Sequence, residues 1–152
     1  MPLYTHPEIS KPILYTHIPK TGGTSIEKFF LDSGFTGYGI KDQYRAMRKL
    51  FRIPPVHFQS CLLEKFLNFE EINSFTIVRH PLNRMISTYR WAISKDTNSS
   101  KYASLTFDEF VKGALDTYKQ HNPLYFFAPQ NLYTSNKLTD IYKYEDGLQN
   151  IM

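Results

Sequence analysis

The apolar residues near the start of the chain change from a strand-like to a helix-like pattern. Residues 13–18 are rich in β-branched and aromatic side chains, which favours a buried strand. Pro19 should end that strand, because proline donates no hydrogen bond to a ladder. Ile26, Phe29 and Phe30 then recur at helical spacing, the pattern of an amphipathic helix packed on a sheet. This region therefore predicts a strand, a tight turn and a helix.

The same order of elements is predicted around residue 80. Residues 75–78 form a second apolar strand, and Arg79 follows it. Pro81 is well placed in a first helical turn, where no amide proton is needed. Apolar residues then recur at helical spacing and should face the core; they are Leu82, Met85, Ile86, Tyr89 and Ile93.

The remaining elements are shorter. Residues 1–12 contain three prolines and predict an irregular lead-in, residues 32–39 a glycine-rich turn, and residues 41–51 a short basic helix. Residues 56–58 should form a short strand and residues 140–144 a last strand. Residues 60–67 should form an apolar helix with its apolar side chains inward; they are Leu62, Leu63, Phe66 and Leu67. Residues 106–109 form a capping box. It opens a helix with an apolar stripe of Phe107, Phe110, Val111, Ala114, Leu115 and Tyr118. Together these elements predict one α/β domain over residues 1–152, with a mostly parallel central sheet flanked by helices.

Composition and charge narrow the functional classes. The chain is 41% hydrophobic and 16% aromatic, which is ample for a core, and its net charge of +4 suits an anionic ligand without indicating nucleic acid. Cys61 is the only cysteine, so no disulfide can form within the chain. There is neither a signal-peptide pattern nor an apolar run of about 20 residues. We expect a soluble, cytoplasmic protein with no transmembrane segment.

The turn between the first strand and helix carries the residues that an anion site needs. Helix N-terminal amides point outward at the positive end of the dipole, and Lys20 adds a positive charge. Gly22 and Gly23 permit close backbone approach, and Thr21, Thr24 and Ser25 add hydroxyl donors. A phosphate or phosphosulfate group would fit there, although such a turn can also be a plain connection. Lys20 precedes the glycines, unlike the lysine of the nucleotide-triphosphatase loop.

The second strand-to-helix connection contains a second candidate anion-binding site. The Arg79 guanidinium provides a paired donor fork, and Ser87, about two turns into the helix, provides a hydroxyl donor. No clustered His, Cys or carboxylate residues stand at recognisable metal spacing, so no metal site is predicted.

These two segments resemble the sulfotransferases that use 3′-phosphoadenosine 5′-phosphosulfate, in the branch with carbohydrate O-sulfotransferases. Residues 17–25, His-Ile-Pro-Lys-Thr-Gly-Gly-Thr-Ser, are similar to that branch's 5′-phosphosulfate loop. Residues 78–87, Val-Arg-His-Pro-Leu-Asn-Arg-Met-Ile-Ser, are similar to its 3′-phosphate motif, with His80 where aspartate is commoner. The resemblance implies a P-loop-like three-layer fold. It also implies that Lys20 and residues 21–25 hold the 5′ end of the cofactor, that Lys20 is catalytic, and that Arg79 and Ser87 hold the 3′-phosphate.

The resemblance also implies a catalytic base and an acceptor. His57 best matches the branch's base between the two motifs, although Val56 stands where a glycine is common, and Glu64 is the alternative. His17 is expected to shape the turn, and His80 to cap the next helix. The acceptor would be a hydroxyl, on a saccharide or glycolipid.

Two other hypotheses about the function stay open. One is a nucleotide kinase of related topology, which would want Mg²⁺ and a lysine after the glycines. The other is a non-catalytic or truncated binding module, since catalytic domains of this family usually run longer. The resemblance implies a soluble protein of bacterial type, or, for an excised animal domain, a protein of the Golgi lumen.

Overall fold

The computed structural model describes residues 2–39, 53–94, 102, 104–119, 126–138 and 140–151. The basic helix predicted over residues 41–51 lies outside these ranges. The chain divides into two compact units, which are described separately. The first unit contains the residues up to Val78 and those from Pro129 onward, and the second runs from Arg79 to Ala128. The prediction of one domain over the whole chain stays a prediction.

The first unit contains a five-stranded sheet in its described residues. Its strands are β1 (Leu3–Thr5), β2 (Ile13–Thr16), β3 (Thr36–Tyr38), β4 (Asn73–Val78) and β5 (Asp140–Lys143), in the spatial order β3-β1-β2-β4-β5. Strands β2, β4 and β5 are parallel, and β1 runs antiparallel to both of its neighbours. Four of the five strands therefore point the same way. The predicted α/β class with a mostly parallel sheet is confirmed.

Two strands lie where the sequence pattern predicted irregular chain. The lead-in prediction for residues 1–12 was wrong at β1, whose Tyr4 pairs with Ile13 in β2. Strand β3 lies inside the predicted glycine-rich turn and pairs with β1. Tyr4 is fully buried and its ring stacks on Phe30, with centroids 4.3 Å apart. Burial of this ring explains why so short a segment joins the sheet.

Helix α1 (Gly23–Asp32) packs on one face of this sheet. Ile26 and Phe30 are buried, as their spacing predicted, and Phe29 is half-buried. They share an aromatic-rich core with strand residues Tyr4, Tyr15, Phe75 and Ile77. Because β2, the turn and α1 are anchored in this core, the turn is held on a rigid support.

The segment after residue 53 differs from its prediction. Residues 56–58 do not form a strand; Pro55–His57 is a single 3₁₀ turn, and Pro55 occupies its first position. The fixed φ of proline suits a helical first position, which explains the difference. Helix α2 (Ser60–Leu63) is only one turn long, with Leu63 buried but Phe66 72% exposed. The predicted apolar helix over residues 60–67 is therefore wrong in length and in the burial of Phe66.

The second unit contains helices α3 (Pro81–Ser94) and α4 (Phe107–Lys119). The capping box is confirmed: the Thr106 amide donates to Oε2 of Glu109 at 2.8 Å, and the Glu109 amide donates back to Oγ1 of Thr106 at 3.3 Å. In α4, Phe110 and Ala114 are buried as predicted, but Leu115 is 53% exposed.

The buried face of helix α3 is shifted from the predicted one, and the predicted residues Met85, Ile86 and Tyr89 are half-buried. Its buried residues are Arg84, Thr88 and Ala92, whereas Leu82 is 53% and Ile93 36% exposed. From Nη2, Arg84 donates to the backbone carbonyls of Phe126 at 3.0 Å and Ala128 at 2.9 Å. The backbone carbonyls of residues 126–128 need hydrogen-bond donors, and the buried arginine supplies them. Hydrophobic spacing alone does not reveal this contact. In the described ranges no helix is long and apolar enough to cross a bilayer.

Candidate functional site

The turn between β2 and α1 is held in an unusual backbone conformation. Lys20 has φ of 70° and Gly22 has φ of 92°, so both lie in the left-handed region. For a residue with a β-carbon this region costs on the order of 1 kcal/mol. Among the described residues, Lys20 is the one non-glycine residue with positive φ. Such strain persists where the surroundings fix it, and it is concentrated at binding sites.

A buried hydrogen-bond network supports the turn. Thr21 is fully buried, and its Oγ1 donates to the carbonyl of Ile18 at 2.8 Å. The hydroxyl of Tyr15 lies 3.5 Å from the same Oγ1, and burial raises the pKa of Tyr15, so this phenol stays protonated. The Thr21 side chain therefore shapes the turn, and its backbone amide is what it can offer to a ligand.

The first turn of α1 fixes which amides can act as donors. The amides of Ser25 and Ile26 both donate to the carbonyl of Gly22, at 2.9 and 3.2 Å. The candidate donors to an anion are therefore the amides that precede Ser25, at the positive end of the helix. The side chains of Thr24 and Ser25 are exposed and lie beside them on the same helical turn.

His57 lies in the 3₁₀ turn and contacts His17, the residue that follows β2. Its Nδ1 is 3.0 Å from the backbone carbonyl oxygen of His17. A carbonyl oxygen only accepts, so Nδ1 carries the proton and donates it. In the neutral form of this imidazole the lone pair is then on Nε2, so the backbone contact selects the tautomer.

The His17 ring is enclosed by its neighbours. It stacks on Tyr15 with ring centroids 5.2 Å apart and meets the ring of His57 at 4.5 Å. Burial, followed by the nearby His57 and Lys20, holds the pKa of His17 well below its usual value. His17 is therefore neutral at physiological pH, which agrees with its predicted role in shaping the turn.

Glu64, the alternative base, is engaged in the packing of the first unit. Ser135 donates from Oγ to its Oε1, and Nζ of Lys137 lies 3.7 Å from its Oε2. One helical turn earlier, Ser60 donates to the carbonyl of Tyr133. These contacts tie α2 to residues 133–137 and give Glu64 a structural role, and the choice between Glu64 and His57 as the base stays a prediction.

Comparison with protein-family models matches residues 8–150 to the sulfotransferase family. The chain belongs to the sulfotransferase family. Comparisons with curated proteins and with solved structures give no match. The matched range includes the Lys20 turn, His57 and the Arg79 motif, and membership in this family indicates transfer of a sulfuryl group.

The C-terminal part of this sulfotransferase-family chain borders the Lys20 turn. The sequence did not predict this contact. A β-carbon built on Gly22 would lie 3.0 Å from Cδ1 of Leu148 and 3.0 Å from Cε2 of Tyr144. Both residues belong to 3₁₀ turns (Tyr144–Asp146 and Leu148–Asn150) that follow β5. No local pattern in the sequence connects positions 22 and 148, so only the fold reveals this contact.

The residues of the second motif lie in the second unit. Arg79 comes directly after β4, and Ser87 is on α3; both are half-buried. The amide of Arg84 donates to the carbonyl of exposed His80 at 2.9 Å, so His80 caps the helix through its backbone, as predicted. The assignment of Arg79 and Ser87 to a 3′-phosphate stays a prediction.

A cavity of about 340 Å³ lies elsewhere in the first unit. It is bordered by the first residues of the three parallel strands, Ile13, Asn73 and Asp140, and by Phe29 and Phe30 of α1. Open α/β sheets bind ligands beyond the carboxyl ends of their strands. This cavity is at the opposite ends of the strands from the Lys20 turn, so we do not assign it to the cofactor.

Proposed function

We propose that the chain transfers a sulfuryl group from 3′-phosphoadenosine 5′-phosphosulfate to an acceptor hydroxyl on a carbohydrate, either a saccharide or a glycolipid. The observation that carries this proposal is the strained turn at Lys20, which leads directly into α1 in a chain of the sulfotransferase family. Its charge and amides have the chemistry of a site for a phosphosulfate group.

The donor groups of the turn fit the 5′ end of this cofactor. The lysine, the amides preceding Ser25 and the exposed hydroxyls of Thr24 and Ser25 form the proposed donor set. In the second motif, Arg79 and Ser87 are the proposed contacts of the ribose 3′-phosphate, which distinguishes this cofactor from ATP. When bound, the cofactor supplies the sulfuryl group and a phosphate leaving group.

The proposed role of the turn is electrostatic. Group transfer of this type passes through a loose transition state, so the protein contributes positioning and charge stabilisation. Lys20 and the amides of residues 21–24 hold the leaving phosphate and stabilise the negative charge that builds on it. The strained backbone of Lys20 fixes these donors before the ligand arrives, which reduces the cost of reorganisation.

His57 is the proposed general base. The acceptor hydroxyl gives its proton to Nε2 of His57, and the resulting imidazolium keeps donating from Nδ1 to the His17 carbonyl. This role requires that His57 is neutral before the reaction. In that neutral form the Nδ1 proton is donated to the His17 carbonyl and Nε2 accepts the proton of the acceptor.

The experiment that tests this proposal is transfer of radiolabelled sulfate from the cofactor onto pools of saccharides, glycolipids and small alcohols. We expect labelling of a saccharide-containing pool, loss of labelling in Lys20→Ala, and retention in Lys28→Ala. Lys28 lies on the same helix but pairs with Asp32 and is 73% exposed, so it is a matched control. Labelling that is equal in both variants would contradict the role of Lys20, and no labelling of any pool would contradict the transferase proposal.

A further inference from the structure

We propose that His17 is a positioning residue, whose ring couples the position of the Lys20 turn to the orientation of His57. This inference rests on the proposed function, in which His57 is the base. His17 lies between the two parts of the site, since it follows β2 directly and precedes the turn by two residues.

On one side, the His17 ring packs directly on the start of α1. A β-carbon built on Gly23 would lie 1.9 Å from Nε2 and 2.2 Å from Cε1 of this ring. The glycine therefore leaves the space that the imidazole fills. A displacement of Gly23 toward this ring would therefore press on it, because the two groups are already in contact.

On the other side, His17 holds His57 by two contacts. Its backbone carbonyl accepts the Nδ1 proton at 3.0 Å, and its ring meets the His57 ring at 4.5 Å with an interplanar angle of 58°. The first contact selects the tautomer and the second limits the ring's rotation. Together they aim Nε2 of His57, the atom that receives the proton.

The role assigned to the His17 ring is steric. Tyr15 stacks on its far side at an interplanar angle of 20°, which fixes the plane of the ring. Burial and the neighbouring His57 and Lys20 keep the pKa of His17 low, so it does not compete for the acceptor's proton. A phenyl ring should therefore replace the imidazole in this role, whereas a methyl group should not.

The first test is imidazole ¹⁵N NMR of the full chain, which reports tautomers without cofactor or acceptor. His57 should show the Nδ1–H tautomer. His6 is an internal reference of the opposite kind, because its Nδ1 accepts from the Glu8 amide at 3.2 Å. Both variants keep the His17 carbonyl, so the His57 tautomer changes only if the His57 ring rotates away from it. We expect His17→Phe to restrict that rotation and keep the tautomer, and His17→Ala to permit the rotation and give a mixture. An unchanged His57 tautomer in His17→Ala would overturn the proposal.

The second test is the transfer assay on the same variants. We expect His17→Ala to lower kcat by about tenfold or more with little change in the cofactor KM, since a small misplacement of a catalytic group is costly. His17→Phe should recover most of that loss. Equal losses in both variants would overturn the positioning role, because they would show that the imidazole nitrogens act chemically. If the NMR results hold while no acceptor is labelled, the proposed function fails and the positioning of His57 stands.

Discussion

Gly23 and His17 are in direct contact, and a β-carbon on Gly23 would lie 1.9 Å from Nε2 of the imidazole. Gly23 is therefore needed for its missing side chain. Gly22, the adjacent glycine, is needed for its backbone, because its φ of 92° is in the left-handed region. Two neighbouring glycines of one motif thus meet two different physical requirements.

Gly23→Ala should destabilise the protein by about 1–3 kcal/mol, the usual cost of overpacking a filled site. The cost should largely disappear in the background of His17→Ala, where the imidazole no longer occupies the space. The measurement is a double-mutant cycle from denaturant unfolding of the four proteins.

Gly22→Ala is the matched control for that cycle. Its cost comes from a left-handed φ and from Leu148 and Tyr144, none of which involves the His17 ring. We expect no rescue by His17→Ala. Additive effects for Gly23 and His17 would show that the two residues do not share the space that the structure assigns to them.

The sequence predicted the strand, the turn and the helix around Lys20 well, because their signals are local. The strand β2, the turn and α1 follow one another along the chain, and their apolar spacing, prolines and glycines act over a few residues. The contact of His57 with His17 joins positions 40 residues apart. The match to a family motif nominated His57, but nothing in the sequence indicated that the His17 carbonyl would set its tautomer.

The stability of the protein should depend on pH through His17. Burial and the nearby His57 and Lys20 lower the pKa of folded His17, so the unfolded chain binds a proton first as pH falls. This contribution to stability is complete above the unfolded value of 6.5 and is lost progressively below it. The midpoint temperature of thermal unfolding should therefore decrease as the pH is lowered from 7.5 to about 5. The decrease should be smaller in His17→Phe. Equal pH dependence of the two proteins would contradict a neutral buried His17.

Arg84 should be important for the stability of the second unit. It is 8% exposed and donates to two backbone carbonyls, so Arg84→Met leaves both acceptors without this donor. We expect a loss of about 3 kcal/mol in unfolding free energy. Arg90→Met, at an exposed position on the same helix, is the matched control and should change little. Similar losses in both variants would mean that helical position, not the carbonyl contacts, sets the cost.

The burial of Arg84 also explains why the core of α3 was mispredicted. Hydrophobic spacing selected Leu82 and Ile93, which are exposed, because the pattern scores a side chain's own polarity. The pattern does not take into account that backbone carbonyls of a distant segment, here residues 126–128, need a hydrogen-bond donor. The same limitation applies to β1, which is too short for a periodic signal and joins the sheet through its pairing with β2 and β3.

Sulfate transfer should be insensitive to removal of divalent metal ions. In the proposed mechanism, Lys20 and the turn amides supply the positive potential that a metal ion supplies in nucleotide kinases. The measurement is the initial rate of labelled transfer with excess EDTA and after addition of Mg²⁺. A rate that collapses in EDTA and returns with Mg²⁺ would favour the kinase-like alternative.

Binding of adenosine 3′,5′-bisphosphate, measured by titration calorimetry, tests the central claim most directly. We predict that it binds the wild type far more tightly than ATP with Mg²⁺ does. Lys20→Ala should weaken its binding by about tenfold or more, which corresponds to about 1.4 kcal/mol, and Lys28→Ala should bind like the wild type. Equal affinity for the two nucleotides, or binding of the bisphosphate that is indifferent to Lys20, would contradict the account.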